Sequence, residues 1–282
     1  MTGPASNEPA GYPGLVAVVT GASRGLGAGM AEAFAAAGIS LGLCARTRPP
    51  VPDGAVAVSR SVDVTDAGAL DRFAAEVVDA LGRIDLWINN AGVVAPIGPL
   101  ADADPVAVRE LVDVNVLGVV HGTASFARHV RSRPGRGVLV NLSSGAATDP
   151  SEGWAPYCSS KAAVEMITAV VALEERPHGL SAYALSPGVV DTEMQVLIRA
   201  TPKERFPTVG RFLQRSEEDR FNSPAWVAQY ILDELVEGDP GGHGDGGPGP
   251  HDHGAPVRLR VPEPEHHSPA GPSGPGPPAR PR

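Results

Sequence analysis

Between Leu15 and Glu237 short apolar runs alternate with stretches of helical periodicity, and this rhythm constrains the possible folds more than any other feature of the sequence. The apolar runs are too continuous for strands with one wet face, so the sheet must be covered on both sides, as parallel βαβ units require. We expect one α/β domain over residues 15–238, built on a doubly wound parallel sheet. Strands are predicted near Leu15–Thr20, Ile39–Ala45, Ala55–Val58, Ile84–Asn89, Gly137–Ser143 and Leu180–Leu185, and helices near Leu26–Ala37, Ala67–Leu81, Pro105–Val130, Tyr157–Glu174 and Pro224–Val236. The crossover Arg46–Gly54 carries three prolines and a glycine, so it is read as a loop.

Outside this region the composition changes. Residues 1–14 are expected to be disordered, and residues 239–282, a Pro/Gly/His-rich C-terminal tail, cannot bury enough apolar surface to offset the entropy of ordering them. Within the tail, Pro256–Val261 alternates apolar and basic residues, so it could return as an edge strand. Five histidines lie there (His243, His251, His253, His266, His267), but no cysteine or fixed loop geometry accompanies them and no metal site is expected. The formal charge of −9 gives no electrostatic drive toward nucleic acid or an anionic membrane. Cys44 and Cys158 form no disulfide framework, and neither a signal peptide nor a membrane-spanning run is present, which together point to a cytoplasmic protein.

Thr20-Gly21-Ala-Ser-Arg24-Gly25-Leu-Gly27 carries the first predicted strand through a glycine-spaced turn into an alanine-rich helix. Gly21, Gly25 and Gly27 allow backbone amides and the helix N-terminus to approach a pyrophosphate. At the end of the second strand an acidic residue would select an adenosine ribose 2′-hydroxyl. The sequence there is Cys44-Ala-Arg46-Thr-Arg48, without an acid. Arg46 and Arg24, with Arg48 near them, can instead clamp a 2′-phosphate, so NADP(H) is the expected cofactor.

Lysine occurs only at Lys161 and Lys203, and Lys161 falls four residues after Tyr157. That spacing is one helical turn, which sets ammonium and phenol on one face. An ammonium beside a phenol lowers its pKa, and a tuned phenol can act as a general acid toward a carbonyl oxygen. Gly137–Ser143 reads as a buried strand that ends in hydroxyls, and Ser144 can donate to the same oxygen.

These segments, with Asn89-Asn-Ala-Gly92, Asn115 and Pro187-Gly-Val-Val-Asp-Thr192, resemble the short-chain dehydrogenase/reductase family over about residues 15–237. The resemblance implies a Rossmann-type sheet and NAD(P)(H)-dependent interconversion of carbonyl and alcohol. It assigns Tyr157 as acid/base, Lys161 as the residue that lowers its pKa and holds the nicotinamide ribose, Ser144 as the carbonyl-polarising group, and Asn115 as the holder of a proton-relaying water. Asp63 would bind adenine, Asn89 the adjoining ribose, and Val190 and Thr192 the carboxamide. Ser23, Leu26, Val64, Ala91, Gly92, Pro187 and Gly188 complete the cofactor contacts. Family members usually pair subunits through the helices at Pro105–Val130 and Tyr157–Glu174, so a homodimer or homotetramer is expected.

Gly153-Trp154-Ala-Pro-Tyr157-Cys-Ser-Ser-Lys161 and Ser186-Pro-Gly-Val-Val-Asp-Thr-Glu-Met194 resemble the subgroup of sepiapterin reductases and bacterial benzil reductases. The pterin enzymes anchor substrate on a C-terminal aspartate. The corresponding strand here offers Arg258 and Arg260, which weighs against a pterin. Substrate contacts are expected from Ser144, Tyr157, Trp154, Met194 and Val94, beneath a lid between Thr192 and Asn222. The leading reading is an NADPH-dependent reductase of small ketones or benzil-like α-dicarbonyls. The alternatives are a pterin reductase and a non-catalytic, nucleotide-binding scaffold that uses the tail for partners.

Overall fold

The computed structural model describes residues 12–237 and 257–263. Its seven strands are β1 (Val16–Thr20), β2 (Ser40–Ala45), β3 (Ala57–Ser61), β4 (Leu86–Asn89), β5 (Gly137–Leu142), β6 (Leu180–Ser186) and β7 (Val257–Arg260). They form one sheet in the order β3-β2-β1-β4-β5-β6-β7, every neighbouring pair parallel. This is the Rossmann-type single domain expected. The order reverses between β1 and β4, which opens a crevice beyond their carboxyl ends.

The helices α1 (Gly25–Ala36), α2 (Ala67–Leu81), α3 (Pro105–Val112), α4 (Gly118–Arg131) and α5 (Ala155–Glu175) precede β6. After it come α6 (Glu193–Arg199), α7 (Val209–Glu217) and α8 (Pro224–Tyr230). One apolar layer packs Met30 and Phe34 of α1 and Val227 of α8 against β1, β2 and β6. The opposite layer packs Leu70, Phe73 and Val77 of α2 and Phe126 and Val130 of α4 against β4 and β5. Strands wet on neither face explain the unbroken apolar runs in the sequence.

Four differences from the sequence reading have physical causes. The third strand runs to Ser61 because its last residues pair with Cys44 and Ala45, although Arg60 and Ser61 are exposed and polar. The helix read as one from Pro105 to Val130 contains a π turn at Asp113–Leu117, where the Asn115 side chain leaves the helix to bond the Val93 backbone. The final helix likewise passes into a π turn at Ile231–Glu237. Order begins before Leu15: the Tyr12 amide donates to the Ala37 carbonyl at 3.1 Å, so residues 12–14 are structured. Residues 1–11, the rest of the tail and its five histidines lie outside the described residues. Among the described residues no helix is long and apolar enough to cross a membrane, and no cluster of three or more His, Cys, Asp or Glu could hold a metal.

Candidate active site

At the end of β1 the chain turns through Gly21, whose φ of +66° suits glycine, and a Cβ there would lie 2.8 Å from the Ala91 Cα. At Gly27 a Cβ would meet the Gly21 carbonyl oxygen and Asn90 Nδ2 at 2.5 Å. Hydrogen bonds hold the turn against the loop after β4. Thr20 Oγ1 accepts from the amides of Asn90 (3.0 Å) and Ala91 (3.1 Å), and Asn90 Nδ2 donates to the Thr20 carbonyl at 2.9 Å. The turn and the N-terminus of α1 that follows it thus stand at the sheet's switch point, packed on the loop after β4.

The residues expected to bind a cofactor stand on this turn and on loops that follow other strands. Thr192 lies across from the turn, its Cγ2 3.2 Å from where a Cβ on Gly25 would sit. Asn222 Nδ2 donates to the Pro187 carbonyl at 2.9 Å and the Asn222 amide to the Val189 carbonyl at 2.8 Å, shaping the Pro187–Thr192 loop that also carries Gly188 and the buried Val190. Asp63 caps its own loop through the Thr65 amide and hydroxyl, both at 2.9 Å, beside the buried Val64. Ser23 and Leu26 lie half-buried in and just after the turn. The Asn89 side chain is buried and bonded to Trp87, Thr123 and Asn141, so a ribose would meet its backbone. Arg46 is exposed at the end of β2, whereas Arg24 is ion-paired with Glu193 on α6.

The catalytic candidates converge beyond β5. Ser144 is extended and caps a short 3₁₀ turn, Gly145–Ala147, its Oγ accepting from the Ala146 amide at 3.2 Å. The same hydroxyl lies near enough to the Tyr157 phenol to oppose the rise in its pKa. Lys161, one turn along α5, is buried and donates from Nζ to the Leu142 carbonyl at 2.8 Å. Asn115 Nδ2 donates to Ser160 Oγ at 3.1 Å, and a Cβ on Gly92 would lie 3.4 Å from Asn115 Oδ1 and 3.9 Å from Lys161 Nζ. Four segments distant in sequence thus meet at one point.

The electrostatics correct one expectation. Burial pushes the Tyr157 phenol up to about 12, with the Ser144 hydroxyl acting the other way, and lowers Lys161 to about 8. Lys161 Nζ stands 5.8 Å from the tyrosine ring centroid, and desolvation by burial is the largest influence on both groups. Tyr157 therefore holds its proton, the form that can donate.

An aromatic cap covers these groups. Trp154 meets Tyr157 edge-on at 5.2 Å between centroids and stacks on Phe206 at 4.7 Å, with Phe212 at 5.3 Å. Val94 is buried in the same apolar cluster and Met194 packs against it. Sequence reasoning missed Asn90, Asn222, Phe206 and Phe212. Asn90 stood within a motif already singled out, while the phenylalanines lie in a stretch whose polarity hid the helix α7.

A glycine turn at the switch point of a Rossmann-type sheet is consistent with binding of a nicotinamide dinucleotide. Comparison with known proteins agrees. A family model described as short chain dehydrogenase matches residues 15–203. A benzil reductase ((S)-benzoin forming) of Bacillus cereus is 34% identical over 230 residues, 77% of this chain and 92% of that protein. A benzil reductase ((S)-benzoin forming) of Bacillus subtilis is 31% identical over 80% of this chain and 95% of its own length. The crystal structure of the KRED1-Pglu enzyme superposes with a TM-score of 0.71 at 31% identity, covering 80% of this chain and 96% of that one. With the sheet order, the glycine turn and the Ser144–Tyr157–Lys161 cluster on one scaffold, the chain belongs to the short-chain dehydrogenase family of oxidoreductases acting on CH–OH and C=O groups.

Proposed function

We propose that the protein is an NADPH-dependent reductase of small ketones and α-dicarbonyls of the benzil type. The observation that carries this reading is the placement of Ser144 and Tyr157, two neighbouring hydroxyls, beside the apolar cluster of Trp154, Val94 and Met194. Bound NADPH would supply the hydride. Ser144 and Tyr157 Oη donate to the substrate's carbonyl oxygen, and the Tyr157 proton passes to it as negative charge develops. Lys161, as the ammonium, stabilises the phenolate left behind and is held for that task by the Leu142 carbonyl. The Asn115 amide fixes the Val93 loop beside them, and the bend at its π turn sets a place for a relaying water. The cluster sheds water from aryl or alkyl flanks and offers little to a sugar or phosphate.

Turnover of benzil with NADPH tests the reading, and a Tyr157→Phe variant that kept the unaltered rate would remove the mechanism. The absence of an acid after β2 supports NADPH over NADH. The ratio of kcat/KM for the two should exceed one, and Arg46→Asp should lower it. One observation favours a second reading: Gln195 Oε1 is buried without a partner on α6 and could serve a polar ring such as a pterin's. Diketones should still exceed sepiapterin in kcat/KM by about tenfold, since each unmatched ring nitrogen costs roughly 1–3 kcal/mol. Tight NADPH binding with no turnover across a broad carbonyl panel would return the scaffold reading. Exposed Met166, Val170 and Leu173 on α5, with Val112 and Leu117 near the π turn, support pairing with a second copy of the chain. Light scattering checks this, with at least a dimer expected.

A further inference from the structure

We infer that Arg258, on the edge strand β7, is a positioning residue for Ser144, acting through Glu165 and Thr148. β7 pairs with β6 so that Arg258 lies opposite Ala184, at the sheet edge beside α5. From there Arg258 Nε lies 3.1 Å from Glu165 Oε1, the same carboxylate oxygen that accepts from Ser143 Oγ at 2.7 Å. Arg258 Nη2 donates to Thr148 Oγ1 at 2.7 Å, and the Thr148 hydroxyl donates in turn to the Gly145 carbonyl at 3.3 Å. The guanidinium thus grips both sides of Ser144: residue 143 through the carboxylate and the 3₁₀ turn at 145–147 through the threonine. Glu165 is largely buried, with 17% of its side chain exposed, so its charge needs a partner, and Arg258 supplies one. A planar fork can make both contacts at once, which a lysine cannot.

Nothing in the motifs that define this site requires an arginine after residue 250. The inference rests on the reading that Ser144 polarises the substrate's carbonyl, because a donor misplaced by about 1 Å loses much of its effect on rate.

The experiment measures benzil reduction under saturating NADPH for Arg258→Ala, Arg258→Lys and Thr148→Val, each in the natural and the Ser144→Ala background. Arg258→Ala should lower kcat about tenfold, with the benzil KM changed by less than about twofold. Arg258→Lys should recover part of that loss, and Thr148→Val should cost about threefold. In the Ser144→Ala background neither position should cost more than about twofold, because the donor through which they act is gone. Equal losses in both backgrounds, or none in either, overturn the inference. Hydrogen exchange gives a readout independent of turnover: amides 145–149 should exchange faster in Arg258→Ala while those of β1 and β4 keep their protection. Unchanged exchange at 145–149 sinks the proposal whatever the substrate. A chain that ignores benzil yet shows the faster exchange instead sinks the diketone reading and keeps this one. Should Arg258→Ala fail to fold, Thr148→Val carries both measurements, since it removes a single hydroxyl from an exposed turn.

Discussion

Where β1 ends, the site is made of backbone; where β5 ends, it is made of side chains. The first region is a set of close approaches, with Gly21 against Ala91 and Gly27 against the Gly21 carbonyl, locked by the buried Thr20 hydroxyl. The second is a chain of polar contacts from Asn115 through Ser160 to the Tyr157 carbonyl, beside the Ser144–Tyr157 pair and Lys161 on Leu142. A surface of main chain suits a ligand feature common to all dinucleotides, the pyrophosphate. Side chains suit the part of the reaction that must move a proton. The first region is damaged by adding atoms and the second by removing them.

The largest expected effect breaks the second region alone. Tyr157→Phe should lower kcat by about a thousandfold, within the range for loss of a general acid, while a fluorescence titration finds NADPH affinity little changed. Next, Gly27→Val should break the first region: the added side chain overpacks against main chain, costs about 3 kcal/mol or more in urea unfolding, and weakens NADPH binding at least about tenfold.

Lys161 gives a smaller effect with a defined sign. Its pKa in the folded chain, about 8, lies below the ordinary 10.5, so the unfolded chain binds more protons and stability rises with pH from 8 to 9, by about 1 kcal/mol. Above pH 9 the trend flattens, because buried Cys44 is pushed up to about 12 and the unfolded thiol ionises first; above 10 Tyr12 and Tyr157, both also raised to about 12, reverse it. Lys161→Met should erase the rise between pH 8 and 9 in urea melts without added cofactor. Thr20→Val should cost roughly 1 kcal/mol, since it strands the Asn90 and Ala91 amides, and should leave kcat at saturating NADPH nearly unaltered. A larger fall in kcat would mean that the two regions are mechanically coupled.

The difference between the regions also decided what could be read from sequence. Glycines at fixed spacing announce a backbone turn, and Tyr157 with Lys161 announces a helical face, because both signals are local. The short edge strand was legible from the alternation in Pro256–Val261, and β7 forms there. The work of Arg258 was not, since it depends on β7 lying next to β6 and α5. The same holds for Asn89, whose motif suggested a ribose contact but whose neighbours Trp87, Thr123 and Asn141 are brought together only by the fold. The cap helix α7 was hidden because it buries little beyond Val209 and Phe212, its Leu213 being exposed.

The chain's three tryptophans stand in three different environments. Trp87 is wholly buried in β4, Trp154 is stacked on Phe206 in the aromatic cap, and Trp226 is partly exposed on α8 with its indole N–H on the Pro262 carbonyl at 2.8 Å. Each is an intrinsic optical probe of a different event. Variants that keep one indole would let emission wavelength and quenching time three motions separately: melting of the sheet at Trp87, withdrawal of the cap at Trp154, and release of the segment after β7 at Trp226.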